Sequence, residues 1–158
     1  MRQNFKRQST RGFTLLELLV VLLLAGILAA VGGALLSGQI REARGMDFVE
    51  ALAQDINLAR SVAMARGERT EIEFVSAGGY VVRNLDAPGR PVLASRTDPA
   101  VTLASVGVGD RLICKSQGFC EGQDAAGRPK ILARVDCTAG GRTRTLSITV
   151  LGLTRVES

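Results

Sequence analysis

The sequence predicts an α+β fold in which one long N-terminal helix packs on a small antiparallel β domain. Three features carry that prediction. Residues 18–36 form 19 consecutive positions with no charged or hydrogen-bonding side chain. The charged stretch that follows, residues 39–66, keeps an apolar stripe at steps of three and four. From Thr70 onward the pattern changes to period two, with glycine- and proline-bearing turns between short runs. A helix followed by several short strands buries its apolar stripe against a sheet face.

The apolar run is long enough to cross roughly 30 Å of hydrocarbon as a helix. Glu17 is the one ionisable residue at its start, and a carboxylate there costs on the order of 2.5–3.5 kcal/mol on insertion scales, so it calls for a partner or an interface. Ahead of it lie Arg2, Lys6, Arg7 and Arg11 with no acidic residue. Basic flanks stay cytoplasmic, which places the C-terminal region outside the inner membrane. Gly32 and Gly33 fall inside the run, where they serve either as a bending point or as a surface for close helix packing.

In residues 39–66, Val49, Leu52, Ile56, Ala59 and Ala63 form the stripe, and Arg41, Glu42, Arg44, Asp47, Glu50 and Asp55 supply the polar remainder. Gly67 is the stop signal. One helix of about 50 residues results, with domain limits at 1–12, 13–38, 39–67 and 68–158. Ile72 and Phe74 alternate with Glu71 and Glu73, and residues 76–79 turn the chain into a return strand over 80–85. Further strands are predicted at 91–94, 100–105, 111–115, 119–121 and 131–137, with residues 122–130 a polar loop. The clearest strand is 145–150, with Leu146, Ile148 and Val150 on one face.

The net charge of +5 is set by the N-terminal cations. Removing those four leaves 16 basic against 15 acidic residues, a formal +1. Nucleic-acid binding would therefore need a local patch. The chain has no histidine, no nucleophile motif and no paired-acid constellation, so an enzyme is not expected. Three cysteines at spacings of six and seventeen, without histidine, match no zinc pattern; no metal and no cofactor is expected.

Gly12-Phe13-Thr14-Leu15-Leu16-Glu17 and the apolar run after it resemble the class III signal of type IV pilins and type II secretion pseudopilins. The resemblance implies cleavage between Gly12 and Phe13 by a membrane prepilin peptidase, N-methylation of Phe13, and pairing of Glu17 with the free amine of a neighbouring subunit. It also implies an inner-membrane assembly platform and other pilin subunits as partners. Before assembly the chain would be a single-pass inner-membrane protein with its leader cytoplasmic and its C-terminal domain periplasmic. The segment Asp55-Ile56-Asn57-Leu58-Ala59-Arg60-Ser61-Val62-Ala63 is similar to the helix end of the GspH/FimT branch. That branch implies a minor pilin or minor pseudopilin, non-catalytic, in a type IV pilus or a type II secretion pseudopilus.

Some FimT-type minor pilins contact DNA through a basic Gly-Arg-x-Arg element, and Gly141-Arg142-Thr143-Arg144 looks similar. The resemblance makes Arg142 and Arg144 candidate DNA contacts for natural transformation, with Arg134 and Arg155 as lesser ones. A solvated hairpin is the alternative. Residue parity puts Arg142 and Arg144 on the face of Leu146 and Ile148, so the strand is expected to begin after them or to bulge. Cys114 and Cys120 flank a turn that would set them opposite each other for a disulfide. Cys137 is an alternative partner, and all three pairings stay open.

Overall fold

The computed structural model describes residues 14–157, with the side chains of residues 31–37 outside the description. Helix α1 runs over Leu15–Arg66, 52 residues, and Gly67 closes it with φ of +70°. Only a residue without Cβ takes that left-handed conformation without strain. Two compact units result, Met1–Ser37 and Gly38–Ser158.

In the first unit the described residues 15–30 are helical and exposed. The described backbone remains helical through Gly32 and Gly33. Among the described residues, no helix is long and apolar enough to cross a membrane. The rest of the sequence's apolar run, residues 31–36, falls among the side chains outside the description.

The second unit holds nine strands: β1 (Thr70–Ser76), β2 (Gly79–Asn84), β3 (Val92–Thr97), β4 (Thr102–Ala104), β5 (Arg111–Cys114), β6 (Cys120–Gln123), β7 (Arg134–Ala139), β8 (Arg142–Ile148) and β9 (Thr154–Glu157). They form two antiparallel sheets rather than one, in the orders β3-β2-β1-β5-β6 and β4-β7-β8-β9. Both use the same part of α1. The stripe of Val49, Leu52, Ile56, Ala59 and Ala63 is at most 1% exposed and shares a core with Ile72, Phe74, Tyr80 and Val82 of the first sheet and Val135, Leu146 and Ile148 of the second. Phe48 meets Tyr80 edge to face, with ring centroids 5.5 Å apart. At the start of the unit the helix and β7 approach so closely that a Cβ on Gly45 would come within 2.6 Å of the Ala139 Cβ.

Three sequence expectations need correction. The strand expected at 145–150 stops at Ile148, because residues 149–152 turn the chain into β9 and leave Val150 72% exposed. The strand expected from residue 131 starts at Arg134; Ile131 is exposed while Leu132 enters the core. The polar loop at 122–130 is in part strand β6, and Asp124 organises the rest by accepting backbone N–H bonds from Ala126 and Arg128.

Candidate assembly site and arginine cluster

Gly12 and Phe13, the residues of the expected cleavage, lie outside the described residues. Glu17 occupies the first turn of α1. Its backbone N–H donates to the Thr14 Oγ1 at 3.2 Å, and the Leu18 N–H donates to the Thr14 carbonyl at 3.2 Å. Thr14 is therefore the N-cap, and Thr14-Leu15-Leu16-Glu17 has the spacing of a capping box. A carboxylate in the first turn also meets the positive end of the helix dipole. Sequence reasoning gave Glu17 an intersubunit role alone and overlooked this signal, although it is legible in the tetrapeptide. From residue 15 to residue 30 every side chain is exposed, Leu15 at 81% and Leu28 at 72%.

The four arginines singled out in the sequence do not gather into one patch. β8 begins at Arg142, which pairs in register with Ala139, and Arg144 pairs with Cys137. No bulge intervenes, contrary to the expectation from parity. Gly140 and Gly141, both at positive φ, make the two-residue turn, and the arginines share the helix-facing side of the sheet with Leu146. The strand can start this early because the helix supplies a counter-charge: the Arg142 guanidinium donates to the Glu42 carboxylate. The hairpin tip is thus docked on the helix. Arg134 and Arg155 sit on the opposite face, flanking Ser147 across three strands, about 10 Å along the sheet from Arg144 and about 17 Å from Arg142. Arg134 donates to Asp136, which also accepts from Thr145 and Ser105. Hydrogen bonds from Thr145 and then Arg134 hold the Asp136 carboxyl below the usual range.

Cys114 and Cys120 are register partners on β5 and β6, with Cα atoms 4.0 Å apart and the sulfurs bonded. The Cys137 thiol is buried and points at the Gly45 carbonyl. Burial, followed by the charge of Asp98, pushes it up to about 11. Two buried polar groups, one on each face of the first sheet, are not legible in the sequence pattern. Asp55 is buried on the helix, accepting from the Tyr80 hydroxyl at 2.8 Å and from the Arg96 Nε at 3.3 Å. Burial and the Asp55 carboxylate raise the tyrosine far above its ordinary range. Glu71, expected on a solvent face, is buried on the central strand with Arg83 at 3.8 Å.

Comparison with known proteins bears on both units. Residues 7–33 match the family model of the prokaryotic N-terminal methylation motif. No curated protein sequence matches the chain. Two crystal structures of the type IV minor pilin FimU of Pseudomonas aeruginosa share the fold. One aligns with 17% identity and a TM-score of 0.51, over 72% of this chain and 92% of FimU. The other aligns with 16% identity and a TM-score of 0.53, over 74% and 90%. The chain is pilin-like in its N-terminal motif and in its fold.

Proposed function

We propose that the protein is a non-catalytic minor pilin or minor pseudopilin of GspH/FimT type, cut between Gly12 and Phe13 and assembled through its N-terminal helix. One observation carries this reading. Residues 15–30 expose an apolar side chain in every direction, and they lie within the stretch that matches the methylation motif. Leaving such leucines in water forfeits on the order of 1.5–3 kcal/mol each, so lipid and then neighbouring subunit helices are their natural surroundings. In lipid, Glu17 needs a cation, and the amine released at Phe13 of an adjacent subunit is the group that cleavage creates. The prepilin peptidase and the inner-membrane platform would be the partners before assembly, and the leader would face the cytoplasm.

The likeness to FimU supports the type IV pilus over the type II secretion pseudopilus. The arginine geometry weighs against a DNA receptor built on all four arginines, since Arg142 and Arg144 lie on one face of the sheet and Arg134 and Arg155 on the other. The test is to express the full chain with and without a prepilin peptidase and to determine the N-terminal peptide by mass spectrometry. N-methylated Phe13 as the first residue, seen with the peptidase alone, is the expected result. A chain that keeps Met1 in both cells would refute the reading.

A further inference from the structure

The docked hairpin tip answers a question that the fold alone does not: what the Gly-Gly-Arg-Thr-Arg element faces. Gly140 packs so tightly on the helix that a Cβ there would meet the Glu42 backbone nitrogen at 3.0 Å and the Arg41 Cβ at 3.3 Å. Arg41 and Glu42 are thereby brought to the hairpin tip that carries Arg142 and, two residues further along β8 on the same face, Arg144. Arg41 is exposed, Arg142 keeps 68% of its side chain in solvent, and Arg144 is half-buried. Five residues separate Arg41 from Leu36, the last residue of the apolar run. At helical rise that is about 8 Å, and even a fully extended chain could not exceed roughly 17 Å. The polar layer on each side of a bilayer core is about 5–8 Å deep. With residues 18–36 spanning the bilayer as proposed, a helical continuation sets Arg41 at headgroup depth.

We infer that Arg41, Arg142 and Arg144 form a binding surface for the phosphates of anionic lipid headgroups on the outer leaflet of the inner membrane. The surface docks the globular unit on the bilayer before the subunit is extracted into a filament. The inference rests on the proposed membrane span. The Arg142–Glu42 contact leaves room for it, because Glu42 accepts from a single terminal nitrogen of Arg142, leaving other donors of the guanidinium fork for phosphate. Arg134 and Arg155 lie on the opposite face of the sheet, so the element's two arginines should matter and the other two should not.

The experiment uses the full chain in nanodiscs of phosphatidylcholine, with or without phosphatidylglycerol. A fluorophore on Thr143→Cys, an exposed position in the hairpin, reads contact with headgroup-spin-labelled lipid. Quenching should be stronger in the anionic discs, should fall with salt, and should drop to the phosphatidylcholine level in Arg142→Ala with Arg144→Ala. Each arginine near an anionic surface is worth about a fivefold change in occupancy. Arg142→Lys with Arg144→Lys should retain the effect. Glu42→Gln should strengthen it, which an unfolded hairpin would not do. Equal quenching in both discs, unchanged by the alanine pair, would overturn the inference. So would displacement of the headgroups by duplex DNA but not by inorganic phosphate at the same phosphate concentration, which would assign the surface to nucleic acid. Alkaline extraction separates this from the underlying reading: a chain that leaves the membrane fraction refutes the span itself, whereas one that stays embedded without lipid preference refutes the docking surface alone.

Discussion

The two halves of α1 are one secondary-structure element with two different surfaces. Residues 18–30 are apolar on all sides and exposed, whereas residues 38–66 carry one apolar stripe and bury it against both sheets. The backbone hydrogen bonding is the same in each half. What differs is the surroundings of the side chains: they are exposed in the first half and packed on the domain's own strands in the second. Stability and assembly should therefore be separable by mutation.

The sharpest way to break that comparison is a pair of leucine truncations. Leu52 is 0% exposed, and Leu52→Ala should cost about 2–5 kcal/mol in denaturant unfolding of the full chain in micelles. Leu22, 65% exposed, should change the same transition by less than about 0.5 kcal/mol as alanine. Comparable losses would mean that the first half also packs on the domain.

The next effect tests how far the domain depends on its small size. Replacing Cys114 and Cys120 together by serine opens a loop of sequence separation six and should cost about 2–4 kcal/mol. Smaller again is the contribution of the third cysteine. Because burial raises the Cys137 thiol from 9.0 to about 11, the unfolded chain ionises first as pH rises. The stability it contributes is present below pH 9 and is lost between pH 9 and 11. Thermal melts should show this loss, and Cys137→Ala should make the profile shallower between pH 9 and 10, below the range in which Tyr80 begins to contribute. An unchanged profile would place the thiol in contact with solvent.

Much of this architecture was legible in the residues. The stripe from Val49 to Ala63 has only one way to be helical and buried, and the alternation of Ile72 and Phe74 with glutamates fixes the orientation of β1. What escaped were the features that depend on a distant partner. Parity alone could not place Arg142 within a strand, because the charge that allows it is Glu42, 100 residues away. Glu71 read as a surface residue since nothing local shows that Arg83 stands over it. The split into two sheets depends on β4 pairing with β7 rather than with its sequence neighbours, a choice of long-range register that short strands do not encode. At the start of α1 the opposite holds: the Thr14–Glu17 cap is written in four adjacent residues.

The central claim is that the first half of α1 serves assembly and the second half serves the fold. Glu17→Gln tests it most directly, since the amide keeps the size and the backbone cap from Thr14 while removing the charge. The decisive measurement is the amount of the variant in sheared surface filaments or in crosslinked pseudopili, read against its amount in the membrane. The account predicts near-complete loss from the filament fraction, with normal membrane levels and an unchanged unfolding transition. Wild-type incorporation of the Glu17→Gln chain would contradict it.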